Sequence, residues 1–207
     1  AADNSGILSY VRIEYAGYAF QPDKEINSLT LAAVGNGTQI DHIEVAYAKD
    51  DAYEWFGGTV NCKYLIAYKT QDDDFDTDNG FSGKIQFGIS QRYKNRADQS
   101  TSQSFESDND ASGSNNQPYT TAIFSNITSV GPLADTANVP NSRFGAAAQI
   151  RRNSRQSIVN SIFLGWGRGL EISSVGTMNA MKADSMLVKN CAWYGIKSTA
   201  VNLAGGT

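Results

Sequence analysis

Closely spaced carboxylates are the residues of this chain with the clearest chemical potential. Residues 72–78 carry five of them, and no basic residue lies among the five. Such crowding raises the pKa values of the carboxyl groups or requires a counter-ion. Oxygen-rich sets of this kind suit calcium, which accepts about six to eight oxygen ligands in a flexible geometry.

Two segments have the pattern of the first half of an acidic calcium-binding loop. They are Asp74-x-Asp76-x-Asp78-Asn79-Gly80 and Asp108-x-Asp110-x-Ser112-Gly113. Neither is followed by the distal glutamate of a complete helix-loop-helix site, so a solvated acidic face is the alternative. We predict a calcium site, with the candidate ligands Glu54, Asp72, Asp74, Asp76, Asp78, Glu106, Asp108 and Asp110.

Other catalytic side chains are scarce. His42 is the single histidine, and the two cysteines, Cys62 and Cys191, fit no metal-ligand spacing. Zinc sites and mechanisms of the Ser/His/Asp or Cys/His type therefore have almost nothing to use. We interpret His42 as a residue at or beside a turn.

Length and composition favour one soluble, β-rich domain. The 207 residues are 41% hydrophobic and can bury a sizeable core. Charged residues make up 18% and the net charge is −4, which disfavours a nucleic-acid partner. No apolar run is long enough to span a bilayer, and residues 1–5 lack the features of a signal peptide. We predict a soluble chain, or a mature form whose export signal has been removed.

A short acidic motif recurs along the chain, and its repeats predict the strands that would position these groups. Residues 50–58 align without gaps to residues 72–80, an offset of 22 residues, and residues 105–109 repeat residues 75–79 in type. Weaker copies begin at Ile150 and Leu170. Repeats of this length, built from short strands with loops of variable length, are typical of a solenoid.

Polar turn residues mark the same repeats, each between an apolar pair and a strand-like run. They are Ser9, Asp41, Asn61, Asn126, Asn160 and Asn190. Asn and Asp tolerate the left-handed backbone that a tight corner requires. We predict an all-β, right-handed parallel β-helix. A β-propeller is the second choice, and helical repeats are disfavoured because the apolar spacing is near two.

The whole chain, residues 1–207, is predicted to form a single domain of roughly six or seven coils. The predicted coils are residues 5–25, 26–58, 59–82, 83–118, 119–155, 156–184 and 185–207. Polar insertions at residues 92–104, 110–118 and 131–142 bury little, so we expect them to be excursions from the coil.

Stacking of the coils would place equivalent side chains about 4.8 Å apart. An inward aromatic column is then predicted to contain Tyr53, Phe75 and Phe105. The acidic residues that follow them would form an outward ladder of Glu54, Asp76 and Glu106. Asp78 and Asp108 would form a second ladder two residues further along.

Several segments resemble exported right-handed β-helix proteins of the pectin-lyase-like type. The resemblance is carried by residues 4–17, by residues 25–31 with Val34-Gly35-Asn36-Gly37-Thr38, and by Glu54-Trp55-Phe56-Gly57-Gly58-Thr59-Val60-Asn61. It extends to a group of bacterial surface or lipid-anchored proteins that carries no secure biochemical activity, and covers most of the chain up to Ile172. The resemblance implies a location outside the cell. It also implies that the chain is the C-terminal part of a longer β-helix.

A physical argument points the same way at the first coil. The run from Ile7 to Tyr15 already has the pattern of a full apolar strand, and an uncapped coil would expose strand edges. We therefore expect a missing cap, a companion chain or a further segment to pack there.

Sugar binding is one role for the acidic face. Trp55 and Phe56 take the places of Thr77 and Asp78 in the repeat, so we predict exposed rings beside the acids. Pyranose faces stack on such rings while hydroxyl groups bond to carboxylates and amides.

An enzyme is the alternative role for the same face. Pectin-lyase-like lyases use calcium to neutralise a substrate carboxylate and Arg or Lys to take the proton. In that case the resemblance makes Arg151, Arg152, Asp76 and Glu106 the candidate catalytic residues. The sequence lacks Arg-x-Pro-x-x-Arg and Gly-His-Gly, however, and we interpret the two arginines as partners of nearby carboxylates.

The cysteines test the register, because each directly follows a corner asparagine. We predict that Cys62 and Cys191 share one column roughly 19 Å apart, beyond disulfide reach, as free and buried thiols. The overall prediction is a calcium-stabilised structural or glycan-binding module outside the cell. The alternatives are a calcium-dependent polysaccharide lyase or glycosidase-like enzyme, and a subunit of a larger surface assembly that docks through the open first coil.

Overall fold

The computed structural model describes residues 2–18, 26–134 and 139–203. The strands form two sheets, and every pair of neighbouring strands is parallel. The first sheet contains β1 (Ile7–Glu14), β3 (Gln39–Ala46), β5 (Asn61–Tyr68), β7 (Lys84–Gln91), β9 (Ile123–Val130), β11 (Ser157–Val159), β12 (Ile162–Leu164), β14 (Val188–Lys189) and β15 (Ala192–Tyr194). The second contains β2 (Leu29–Ala32), β4 (Tyr53–Phe56), β6 (Phe75–Asp78), β8 (Phe105–Ser107), β10 (Ala146–Ile150), β13 (Arg168–Ile172) and β16 (Val201–Leu203). This architecture confirms the predicted parallel β-helix.

The core lies between the two sheets and is dominated by aromatic rings. Tyr53, Phe75 and Phe105 are fully buried and follow one another in register, at centroid separations of 5.7 and 5.1 Å. Phe124 of the first sheet packs edge-on against Phe105 at 5.0 Å. The predicted inward column is therefore confirmed, and it joins the two sheets through ring contacts.

A left-handed residue bends each long strand of the first sheet near its centre. In β5 this residue is Tyr64, with φ of 57°, and it turns two successive side chains, Lys63 and Tyr64, toward solvent. The residues in this column with positive φ are Tyr10, His42, Tyr64, Phe87, Asn126, Asn160 and Asn190. Asn126, Asn160 and Asn190 thus occupy the predicted corners.

Three of the predicted corner residues are misplaced. Ser9 and Asp41 lie one residue before the left-handed position, since Ser9 pairs with Asp41 and Asp41 pairs with Lys63 of β5. Asn61 lies three residues before it, at the start of the strand. Aromatic side chains hold the left-handed position in the first four long strands, which the preference of corners for Asn and Asp does not indicate.

The predicted shared column of Cys62 and Cys191 is wrong because Asn190 occupies the left-handed position whereas Asn61 does not. The column of Cys62 continues through Ile85, Phe124 and Ile158 to Val188 rather than to Cys191. Both cysteines are free, as predicted, but only Cys62 is buried.

Two further details differ from the sequence predictions. β2 and β4 are neighbours in the second sheet, so they cannot belong to the single predicted coil of residues 26–58. An α-helix, α1 (Val175–Lys182), begins after Ser174, whose side chain accepts a hydrogen bond from the amide of Thr177. The helix was not predicted, and no helix in the described ranges is long and apolar enough to cross a membrane.

Candidate functional site

The outward face of the second sheet carries the predicted acidic ladder. Glu54 pairs in register with Asp76, and Asp76 with Glu106, because their strands are consecutive neighbours. We call these three residues the acidic column. The column continues to Gln149 and then Glu171, so the repeat that begins at Leu170 is aligned as predicted, whereas that of Ile150 is shifted by two residues.

Three overlapping groups of carboxylates surround the acidic column. In each group, oxygens of all three residues lie within 4.8 Å of one another. The groups are Asp50, Asp51 and Asp72; Asp51, Glu54 and Asp76; and Asp73, Asp76 and Glu106. Asp51 and Asp76 each belong to two groups, so the three groups form one continuous acidic cluster.

Burial and mutual repulsion raise the pKa values of several carboxyl groups in this cluster. Glu54 is only 8% exposed, and its burial, reinforced by Asp50 and other acids, raises its pKa to about 8. The pKa of Asp72 rises to about 7 through burial and the nearby Asp98. Asp51, Asp73 and Asp76 have pKa values well above the usual range, because they are buried among carboxylates. At neutral pH these groups need either protons or a cation.

Two arginines lie at the Glu106 side of the cluster. Arg151 forms ion pairs with Glu106 and Asp108, and Arg152 pairs with Asp108 at 2.7 Å. Both arginines are thus partners of carboxylates, as interpreted from the sequence. Asp78, whose pKa is raised to about 6 by burial and by Asp108, lies beside this pair.

Two predicted ligands lie outside the cluster. Asp74 is fully buried and pairs with the equally buried Arg92 at 2.7 Å, so it does not face the acidic column. Arg92 opens the predicted excursion of residues 92–104, yet it points inward and also donates to the backbone carbonyl of Gln71. Asp110 accepts hydrogen bonds from Ser112, Ser114 and Asn116, and those from Ser114 and Ser112 lower its pKa.

Some oxygens near the cluster lack protein partners. Oδ1 of Asp72 is inaccessible to solvent and accepts no hydrogen bond, while its Oδ2 accepts one from Ser100. Gln103 donates its amide to Glu106, and its own Oε1 is buried without a donor. A buried oxygen without a partner costs free energy, which a cation or an ordered water would recover.

The predicted aromatic surface at this face is largely absent. Trp55 is fully buried, stacked on Tyr53 and Phe81 in the core, so its predicted role in sugar binding is wrong. The reason is the period of two in a strand, which puts Trp55 on the same inward side as Tyr53. Phe56 is half-buried.

The sequence reasoning missed two features of the surface. Asp50, Asp51 and Asp73 belong to the cluster, and the alignment of Asp50-Asp51 with Asp72-Asp73 was the signal that could have identified them. The first sheet also carries an exposed column of stacked rings, formed by Tyr10, His42, Tyr64 and Phe87 at centroid separations of 4.3 to 5.1 Å. These rings border a shallow groove of about 520 Å³, which no sequence pattern indicated.

Comparison with known proteins agrees with this architecture. Residues 1–204 match the family model described as "Pectate-lyase like beta helix domain". No curated protein and no solved structure matches the chain significantly. Since the matched region spans nearly the whole sequence and the strands form a parallel β-helix, the chain belongs to the family of pectate-lyase-like β-helix domains.

Proposed function

We propose that this protein is a calcium-binding β-helix module in which the cation stabilises the outward face of the second sheet. The observation that carries the proposal is the continuous cluster of carboxylates that shares Asp51 and Asp76. Among the described residues, Arg151 and Arg152 pair with Glu106 and Asp108 at one margin of this cluster. Calcium suits such a set, since it accepts oxygen ligands in varied geometries.

The proposed ligands differ from those expected from the sequence. Glu54, Asp72, Asp76 and Glu106 keep this role, and Asp50, Asp51 and Asp73 join them. Asp74 and Asp110 have other partners. Asp78 and Asp108 lie beside Arg151 and Arg152 at the edge of the cluster. We expect them to contribute negative charge but not to bind the cation directly.

We favour a structural role over a catalytic one. A lyase base must lose its proton, and the ion pairs of Arg151 raise its pKa further above the usual range. Sugar binding at this face would depend on Phe56, because Trp55 is buried. A location outside the cell would suit the proposed site, since extracellular modules bind calcium in the range of roughly 0.1 to 1 mM.

Calorimetric titration of the metal-free protein with calcium tests the proposal. We expect binding heat and a higher melting temperature for the natural sequence. In Asp76→Asn we expect at least a roughly tenfold weaker affinity, because the residue serves two carboxylate groups. The same variant should melt at a higher temperature than the natural sequence in chelator, since it removes a repelling charge.

Asp184→Asn is the matched control for this titration. It makes the same chemical change at an exposed residue outside the cluster. The positive φ of Asp184, 52°, also suits asparagine. The absence of both calcium heat and a shift in melting temperature at millimolar calcium would contradict the proposal.

A further inference from the structure

The groove beside the stacked rings crosses five neighbouring strands on the outward face of the first sheet. One wall is the ring column, which continues to Asn126, and we call the whole feature the aromatic groove. The other wall stands two residues further along the same strands and consists of Arg12, Glu44, Ile66, Ile89 and Thr128. Ile66 and Ile89 are 38% and 50% exposed. A contiguous apolar surface of this kind marks a place where another molecule binds.

The geometry of the aromatic groove limits the backbone that can occupy it. β3, β5 and β7 each pair with a neighbour on both sides, so this face offers no unpaired backbone groups to a further strand. The two walls stand on residues two positions apart, which is at most about 6.6 Å along a strand. An α-helix is about 10 Å wide with its side chains, so it would rest on the rims. A slimmer extended chain can enter the groove.

The arrangement of the rings disfavours a sugar as the occupant. Neighbouring ring planes in the column lie within 22° of parallel. His42 is covered on one face by Tyr10 and on the other by Tyr64, and Phe87 covers the second face of Tyr64. A pyranose stacks on an open ring face. The wall consists mainly of ring edges, which leave little face for a sugar.

Polyproline II is the extended conformation whose repeat matches the aromatic groove. It has three residues per turn and rises about 3.1 Å per residue, so one turn spans about 9.3 Å. Adjacent strands of a sheet belong to successive rungs of the β-helix and lie about 4.8 Å apart, so two rungs span about 9.6 Å. Every third residue of the ligand therefore meets an equivalent position two strands further on. From Tyr10 to Asn126 the groove spans about 19 Å, the length of about six such residues.

The side chains of the aromatic groove also suit the chemistry of proline. Proline-rich segments dock in grooves lined by aromatic side chains, where their apolar rings are buried. The carbonyl groups of polyproline II have no internal hydrogen bonds, so they can accept hydrogen bonds from a protein. The hydroxyl groups of Tyr10 and Tyr64 can donate such bonds, and their side chains are on residues that are 80% and 44% exposed.

The end of the groove at β1 and β3 favours a basic residue beside the prolines. Arg12 pairs with Glu14 at 2.7 Å and lies 3.5 Å from Glu44, so one guanidinium serves two carboxylates. Asp41 adds a third carboxylate, because hydrogen bonds, led by that from His42, lower its pKa to about 2. An arginine or lysine of the ligand would complement this excess of negative charge.

We propose that the aromatic groove binds a proline-rich peptide segment in the polyproline II conformation, with a basic residue of the peptide near Glu44. A preformed polyproline II helix loses little conformational entropy on binding, which suits recognition by side chains alone. The groove lies on the first sheet and the acidic cluster on the second, so the proposal is independent of calcium binding.

Fluorescence anisotropy with labelled synthetic peptides tests the proposal. The probe has a run of prolines long enough for the groove and one arginine at each end. The control peptide has alternating glycine and serine in place of the prolines. We expect the proline peptide to bind at least roughly tenfold more tightly, because only this peptide is preorganised. Glutamine in place of both arginines should weaken binding about threefold, the scale of an exposed ion pair, and Glu44→Gln should abolish that difference.

A variant within the groove tests the location of binding. Ile89→Asp places a charge between the walls at a half-exposed residue and should weaken binding of the proline peptide at least roughly tenfold. Val175→Asp makes a matched change at a residue that is 63% exposed and begins α1, and it should bind as the natural sequence does. Circular dichroism verifies that both variants are folded. Tyr10→Ala, at a residue that is 80% exposed, replaces Ile89→Asp if that variant fails to fold.

Several outcomes would each overturn the proposal. With the natural sequence they are no binding of the proline peptide at millimolar concentration, equal binding of the proline and glycine-serine peptides, and equal binding with arginine and glutamine ends. With the variants they are unchanged binding by Ile89→Asp and an equal loss in Val175→Asp. A neutral hexasaccharide or phosphatidylcholine vesicles that bind in place of the proline peptide, and lose binding in Ile89→Asp, would instead assign the groove to a sugar or a lipid surface.

Discussion

At the scale of single residues, ionisation of the acidic cluster costs electrostatic free energy in the folded chain. Glu54 shows this best, because its pKa of about 8 in the folded chain compares with an ordinary value of 4.5. A carboxyl group whose pKa is raised on folding binds its proton more tightly in the folded state than in the unfolded state. The folded state is therefore favoured most at low pH, where the group is protonated. Its contribution is complete below about pH 4.5 and is lost as the pH rises toward 8.

We therefore predict that the metal-free protein becomes less stable between pH 5 and pH 8. The Glu54 carboxyl alone accounts for on the order of 3 kcal/mol, and Asp72 adds to the loss up to about pH 7, above which its contribution is already gone. Urea unfolding in chelator at several pH values measures this slope. Glu54→Gln should flatten it and calcium should restore stability at pH 8. Glu14→Gln, at a surface residue that pairs with Arg12, is the control. A stability that rises from pH 5 to pH 8 would contradict the prediction.

The sequence predicted this residue-level chemistry where a repeat fixed the register. The gapless alignment of residues 50–58 with residues 72–80 placed Glu54 opposite Asp76, as the strand pairing shows. The alignment did not reveal that Asp74 pairs with Arg92. Arg92 lies 18 positions further along the sequence, and the two side chains come close only because the chain coils. The predicted exposure of Trp55 was wrong because the prediction relied on the resemblance of its segment to an acidic repeat. It gave too little weight to the alternation of side chains along a strand.

At the scale of strands and columns, the ring stack on the first sheet depends on an unfavourable backbone conformation. Tyr10, His42, Tyr64 and Phe87 adopt the left-handed region, which costs a residue other than glycine roughly 1 kcal/mol or more. Stacking between successive rungs offsets this cost, at about 0.5 to 1.5 kcal/mol per ring pair. Asparagine occupies the same left-handed position without ring stacking. Asn190 instead donates a hydrogen bond from its side-chain amide to Asn160 at 3.2 Å.

We predict that Tyr64→Ala lowers the free energy of unfolding by about 1 to 2 kcal/mol, since it removes contacts with His42 and Phe87. Tyr64→Asn should cost less, because asparagine tolerates the left-handed backbone better than alanine. Denaturant titration measures both. Tyr194→Ala, which removes a ring that is 76% exposed, should have almost no effect. Equal losses in the alanine and asparagine variants would show that the backbone term is negligible.

At the scale of the whole molecule, the fold is a stack in which the strands of each rung pair with those of the neighbouring rungs. Solenoids of this type derive their stability from repeat and nearest-neighbour terms, so the ends are held by fewer contacts than the middle. Among the described residues, β5 pairs with both β3 and β7, whereas β1 pairs with β3. The aromatic core reinforces this gradient, because Tyr53, Phe75, Phe105 and Phe124 lie in the central rungs.

Hydrogen–deuterium exchange should therefore show graded protection along the axis of the stack. In dilute, calcium-loaded protein we predict that amides of β5 and β7 exchange on the order of 100-fold more slowly than those of β1 and β16, because end rungs open without disturbing the centre. Uniform protection in dilute protein would instead indicate that the stack opens as one cooperative unit, and the gradient inferred from its nearest-neighbour contacts would be wrong.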